Sequence, residues 1–299
     1  MIRDQAEVLR RWLQMRPAAA RSKHSGDKAR VIVVSSGKGG VGKTTVVTNI
    51  GILLAQRGLR VGILDADLGL ANVDLMLGLS SRYNLSHVVF GEKSLTEIEL
   101  EGPGGLRIYP GGAGLEEMAN LDRTQLEHFL EGLSILDQRL DLLLIDTGAG
   151  ISHSVTSFLW SAPEVLLVTT PEPPAVTDAY AVLKSVSHHN GRAHVHLVVN
   201  MVRSEQEADG VFRNLYLTAQ RFLNTVCSFH LLGSVPMEPR TRRAVIEQQP
   251  LALAQPSSRF TRSLAKMAAE LHGIETPENH GVASLFDRLW RRIRAAGAR

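Results

Sequence analysis

Cysteine is almost absent: Cys227 is the single one in 299 residues. That excludes a disulfide framework and any cysteine-paired metal site within one chain, and leaves Cys227 as a small buried hydrophobe. Long apolar runs are missing too. None approaches the ~18 residues that a membrane-spanning helix needs. The charged N-terminus lacks an apolar signal core, which points to the cytoplasm. A large excess of either charge is lacking, with a net of +3, but the balance is uneven. Residues 1–30 hold eight Lys/Arg against three acids, and residues 282–299 hold five Arg against one. The stretch between is net acidic, which argues against a broad nucleic-acid face on the body. A hydrophobic content of 44% supports a sizeable core, in one large α/β domain or two small ones.

What is present is a strand–loop–helix motif. Val31-Ile-Val-Val-Ser-Ser reads as a buried strand. Gly37-Lys38-Gly39-Gly40-Val41-Gly42-Lys43-Thr44-Thr45 follows, and then an apolar-periodic helix to Arg57. Gly37 to Thr44 fits G-x-x-x-x-G-K-[ST], the loop that wraps backbone N–H groups around a phosphate. In that geometry Lys43 neutralises the β/γ-phosphates, the Thr44 hydroxyl ligates Mg²⁺, and the helix N-terminus adds its dipole.

The second lysine of the loop, Lys38, has no part in an ordinary P-loop. Lys38-Gly-Gly-Val-Gly-Lys-Thr-Thr resembles the deviant Walker A motif of the MinD/ParA/nitrogenase-iron-protein class. The resemblance implies ATP and Mg²⁺, a nucleotide-sandwich homodimer, and a Lys38 that reaches the other subunit's phosphates. A solvated loop lysine is the plain alternative. Asp65 to Asp74 lies at the carboxyl end of the strand Val61–Asp65 and resembles switch I. By that resemblance Asp67 orients the attacking water and Asp65 sits near the Mg²⁺ shell, though Asp67 or Asp74 would equally suit a helix N-cap. Leu140–Asp146 is an apolar strand closing on an acid, the Walker B geometry, with Asp146 aimed at Mg²⁺ through water. Asp146-Thr-Gly148-Ala-Gly-Ile-Ser resembles switch II of the flagellar subgroup, where MinD usually carries proline at the position of Gly148. The prolines 171–174 break the next strand, and Thr177 or Asp178 suits a helix cap or a place beside the dimer interface. Asn200 and Arg203 match adenine-contacting positions, and Gly233-Ser-Val-Pro236 matches a loop closing over the base.

Both termini carry amphipathic patterns. Ile2–Met15 puts Ile2, Ala6, Leu9 and Leu13 on one helical face; Pro17 stops it, and residues 17–30 read as a linker. Asp4-Gln5-Ala6-Glu7-Val8-Leu9-Arg10 is similar to the D-Q-A-x-x-L-R motif of flagellar MinD-like ATPases of the FlhG/FleN (YlxH) type. There it contacts and stimulates the FlhF GTPase, which makes residues 1–16 a candidate partner-binding helix. Residues 273–281 read as a second linker before a helix over 282–299. Its apolar stripe is Val282, Leu285, Phe286, Leu289, Trp290 and Ile293, flanked by arginines, the composition of an interfacial membrane helix. The alternative is a helix packed on the core, and without ATP the stripe is expected to fold back onto its own domain.

His188, His189, His194 and His196 invite a metal reading, but no acid or cysteine cluster joins them in sequence, so surface or loop histidines are expected. The strand–helix alternation over residues 31–272 predicts a doubly wound, mostly parallel sheet with helices on both faces, and the resemblance implies that this is a MinD-like P-loop NTPase of the SIMIBI class. The resemblance implies an ATP hydrolase, slow without an activator. It would cycle between cytoplasm and the inner, anionic face of the membrane, including the cell pole, and control flagellar number with FlhF and flagellar switch or regulatory proteins. A division-site MinD, a ParA partition ATPase and an ATP-binding scaffold without turnover are the alternatives. An iron–sulfur protein of this fold would need bridging cysteines that the chain lacks.

Overall fold

The computed structural model describes residues 28–67, 73–113, 117–118, 121–223, 226–274 and 281–297. The helix expected over residues 1–16, with Asp4, Gln5, Ala6, Leu9 and Arg10, lies outside them, as does the middle of the switch I segment, 68–72.

Runs of β-branched and leucine residues make the central strands, and buried helices alternate with them. In chain order they are β1 (Arg30–Ser36), α1 (Lys43–Ala55), β2 (Val61–Ala66), α2 (Val73–Met76), α3 (Leu85–Val89), α4 (Leu95–Ile98), β3 (Leu100–Glu101) and β4 (Arg107–Tyr109). Then come α5 (Arg123–Arg139), β5 (Leu142–Ala149), α6 (His153–Ser161), β6 (Glu164–Thr169), α7 (Pro173–His189), β7 (His194–Val202) and α8 (Glu205–Phe222). The last are β8 (Ser228–Pro236), α9 (Arg240–Ile246), α10 (Leu251–Ala254), α11 (Arg259–Gly273) and α12 (Gly281–Gly297). The eight strands lie in the order β3-β4-β2-β5-β1-β6-β7-β8, parallel except for the β3–β4 pair. β1 is central, with Val33 beside Ile145 on one side and Val165 on the other. Its side chains alternate between two cores. Val31 and Val33 face α5 to α8, whereas Ile32 and Val34 face α1 and α11. A doubly wound α/β sheet is thus what the strand–helix alternation predicted.

Several local expectations change. Arg30 is the first residue of β1 rather than the end of a linker. Pro173 and Pro174 form the first turn of α7 instead of merely breaking the chain, because an N–H missing there would be unpaired in any case. Thr177 and Asp178 therefore sit in the second turn and cap nothing. Gly233–Pro236 is the end of strand β8, not a loop. His196 is fully buried, which corrects the surface reading. Its Nε2 lies 3.0 Å from Glu164 Oε2 and its Nδ1 lies 2.6 Å from His230 Nε2. The acid that joins it comes from a neighbouring strand 32 residues away, and Arg30 donates to both carboxylate oxygens, Nε to Oε1 at 2.7 Å and Nη2 to Oε2 at 2.5 Å.

α12 lies folded back on its own domain, the place expected for its stripe without ATP. It is not a tethered appendage: Val282, Leu285, Phe286 and Leu289 are all at 0% exposure, packed against α5 and α6 in the same core as Val31 and Val33. Trp290 and Ile293 pack partly buried on its rim. Phe286 meets Phe129 and Phe158 edge-on, with centroids at 5.9 and 6.2 Å. Asp137 Oδ1, at the end of α5, accepts the Val282 N–H (2.9 Å) and the Ala29 N–H (3.1 Å), holding the entrance to α12 beside the entrance to β1. Two of the arginines counted as membrane contacts are staples. Arg288 Nε donates to Ser161 O (3.1 Å) and Arg292 Nη2 to His189 O (3.3 Å). Those are the last residues of α6 and α7, where helix carbonyls lack intrahelical partners and cations are favoured. Each fully buried Leu or Phe stabilises by about 1.5–3 kcal/mol as an upper bound, so the stripe is a substantial part of the domain's own core.

Candidate active site

β1 delivers the chain to the carboxyl edge of the sheet, and the P-loop turns there into α1. Two of its glycines are required by close approach. A Cβ at Gly37 would run into the Asp178 backbone of α7, and one at Gly42 (φ 85°) would run into the Asn200 amide. Lys43, the first residue of α1, is buried and its Nζ lies 2.6 Å from Asp146 Oδ1, which is fully buried within β5, a strand that runs on to Ala149 rather than closing on this acid. Burial pushes the Asp146 carboxyl up from its ordinary range, while Lys43 and Thr44 beside it work to keep it charged. Asp146 Oδ2 is buried with no hydrogen-bond partner among the described residues. A buried carboxylate oxygen left over next to the Thr44 hydroxyl suits a metal-bound water, so Mg²⁺ fits Thr44 and Asp146.

Lys38 goes elsewhere. Its Nζ is 3.4 Å from Glu172 Oε2, and both side chains are well exposed, at 43% and 68%. Asp67 lines the same cleft as the P-loop and faces the switch II backbone: a Cβ at Gly148 would stand 3.4 Å from Asp67 Oδ1. Switch II is tied to the P-loop strand by Gly150 N–H to Ser36 O (2.8 Å) and by Thr147 Oγ1 to Val34 O (3.0 Å).

Asp65, expected near the Mg²⁺ shell, also holds backbone. Oδ1 accepts the Asp67 N–H and Oδ2 the Val73 N–H, both at 3.1 Å. It clamps the two ends of the switch I segment, a use that a carboxylate at a strand end suits as well as metal ligation. Asn200 lines the cleft and also braces the P-loop: Nδ2 donates to Val41 O (2.8 Å) and Oδ1 accepts the Met201 N–H (2.9 Å). Pro236 lines the nucleotide cleft, as expected, whereas Arg203 lines an adjoining cleft that shares Pro236 and Met237 with it.

The nucleotide cleft is about 1030 Å³ and contains Gly39 to Thr45 at its floor. Its remaining wall comes from residues 237–248 and from Leu75 and Met76, which the sequence reading missed. The signal there is weak: α9 is a seven-residue helix with one buried side chain, Ala244, too short for its periodicity to stand out.

The chain matches, over residues 27–272, the family described as ParA: NUBPL iron-transfer P-loop NTPase. It is 39% identical to the antiactivator FleN of Pseudomonas aeruginosa over 250 residues, covering 84% of this chain and 89% of that protein. It is 34% identical to the flagellum site-determining protein YlxH of Helicobacter pylori over 267 residues, 87% of this chain and 89% of that one. Among solved structures, the septum site-determining protein MinD of Pyrococcus horikoshii, complexed with Mg-ADP, superposes with a TM-score of 0.65 at 26% identity, covering 82% of this chain and 96% of that chain.

Proposed function

We infer function from one premise: the chain belongs to the ParA/MinD family of P-loop ATPases, in the branch of FleN and YlxH, and it hydrolyses ATP. Its role is that of a MinD-like ATPase regulating flagellar number. Beyond this, we propose that ATP is hydrolysed between two copies of the chain. The observation that carries the proposal is the division between the two P-loop lysines. Lys43 is buried on Asp146, which supports its meeting phosphate within its own subunit, whereas Lys38 is exposed and, among the described residues, pairs with an exposed carboxylate. Such a pair contributes little and is easily exchanged for a phosphate. Bound Mg²⁺ would be held by Thr44 and Asp146 and would neutralise charge developing on the phosphates. Asp67, beside Gly148 of switch II, would orient the attacking water. Lys38→Ala should keep ATP binding in the monomer and lose the ATP-dependent dimer, whereas Lys43→Ala should lose binding itself. Equal loss of affinity in both, by equilibrium binding and sedimentation, would sink the division of labour.

The N-terminal motif supports a second proposal, that residues 1–16 stimulate an FlhF-type GTPase. A peptide of residues 1–25 should do so alone; failure of the peptide with full activity of the whole chain would move the surface to the ATPase body. Other flagellar switch or regulatory proteins are further proposed partners. Membrane seating is proposed only for a state in which α12 has left its groove, since no described helix is long and apolar enough to cross a membrane. Moving the stripe from core to lipid is near balance for its own side chains, but it uncovers Phe129 and Phe158. Amide exchange over 281–297 should therefore rise with ATP and anionic vesicles relative to ADP. Vesicle binding with α12 still protected would assign the anchor to another segment. Iron transfer is not proposed, because Cys227 is single and buried against Ser187.

A further inference from the structure

α9 ends in a tight turn in which Gln248 N–H bonds Val245 O (3.2 Å) and Gln249 N–H bonds Ala244 O (2.9 Å). The residue after a helix in such a turn is left-handed and is usually glycine. Here it is Gln248, with φ 54°, so a side chain stands where the backbone would prefer none. That side chain reaches across the cleft: Nε2 donates to Leu75 O at 2.9 Å, over a sequence separation of 173. On the other side Gly78, itself at φ 68°, leaves room for it; a Cβ there would lie 3.0 Å from Gln248 Oε1.

The topology gives this bond its meaning. Switch I descends from β2, two strands to one side of β1, and α9 follows β8, three strands to the other side. The segment after β8 wraps back over α1, where Asn49 Oδ1 accepts the Ala252 N–H (2.7 Å). It meets switch I at Leu75, just beyond the Val73 N–H held by Asp65. Leu75, Val245, Ile246 and Gln248 all line the nucleotide cleft. Gln248 therefore joins the two flanks of the cleft above the P-loop, with its Leu75 end in α2, whose first N–H, that of Val73, is held by the same Asp65 carboxylate that holds the Asp67 N–H.

We propose that Gln248 is a positioning residue for ATP hydrolysis, latching the α9 wall to switch I so that nucleotide filling the cleft fixes the segment bearing Asp67. The inference rests on the ATPase reading of the site. Gln248→Glu is isosteric but has no donor, and should lower kcat about three- to tenfold, one net hydrogen bond's worth. The Kd for ATP should stay within about twofold of wild type, since an interaction tightened only at the reacting end is lost from kcat. Gln248→Lys keeps a donor and should retain most activity. Gln248→Gly relieves the left-handed strain, so its Tm should equal or exceed that of wild type while kcat falls as in the Glu variant. A purely structural residue would behave oppositely, with Tm and Kd both worsened by Glu and restored by Gly. Asp67→Ala in the same assay separates the two readings: a wild type no faster than that variant would remove the ATPase reading, not the latch. Amide exchange of residues 73–79 with ATP bound needs no turnover, and it should quicken in Gln248→Glu. Wild-type exchange there, or wild-type kcat in both the Glu and Gly variants, would overturn the latch.

Discussion

Asn200 illustrates how one side chain can serve either a ligand or the fold. Its residue type suits adenine, and here one of its two N–H groups donates to Val41 O while its oxygen accepts the Met201 N–H. Removing a buried amide that satisfies two backbone groups costs about 1–3 kcal/mol. Asn200→Ala should thus lower the Tm and weaken ATP and GTP by the same factor, because the P-loop loses its brace. A selective loss of ATP in a binding assay would restore the base-reading role. Asp65 is the same lesson in an acid: its two oxygens fasten switch I at Asp67 and Val73. Asp65→Asn keeps the shape but can accept on one atom only, so amide exchange at residue 73 should quicken even without Mg²⁺.

Among the elements, α12 takes one of the two places that its stripe allows. A stripe of Leu, Phe and Trp flanked by arginine has the same composition whether it faces lipid or a protein groove. Here Phe286 takes the groove, fully buried between Phe129 and Phe158. Phe286→Ala should cost about 3–5 kcal/mol by denaturant unfolding; a helix that spent its time in water or lipid would show almost none of that loss. Arg288→Ala and Arg292→Ala should each cost less, since they leave carbonyls at the ends of α6 and α7 without their donors but near water. β8 and α9 went unread for a related reason. β8 interleaves glycine, serine and histidine, and only its position as the edge strand beside β7 makes it pair.

At the scale of the whole molecule, a buried ion chain joins the amino-terminal ends of four strands. Arg30 of β1 holds Glu164 of β6, which holds His196 of β7, which meets His230 of β8. Burial raises the Glu164 carboxyl, but hydrogen bonds from His196 and Arg30 together leave its pKa below the usual value. Burial first, and then the charges of His196 and His194, hold His230 below its ordinary 6.5. Both groups bind protons more weakly folded than unfolded, so both favour the folded state at higher pH. The His230 contribution is lost as pH falls below about 6.5, and that of Glu164 only below the carboxylate range. The Tm should therefore drop between pH 7 and 5. His230→Gln, which can still donate to His196, should flatten that drop; an unchanged profile would place the titrating group elsewhere.

The sequence by itself determined the P-loop, the strand that feeds it, the acid of β5 and the doubly wound sheet. Each of these is local or periodic: glycines where the backbone must turn, β-branched runs where strands are buried, a lysine at a fixed offset. The pair of lysines in one loop was legible for the same reason. What only the tertiary structure decided are partnerships between distant residues. That Asn200 reaches Val41, that Asp65 reaches Val73 and that the last helix reaches Phe129 depend on which surfaces the fold brings within hydrogen-bond or van der Waals reach. Residue type limits those choices, and the packing of β1 against its neighbours on both faces makes them.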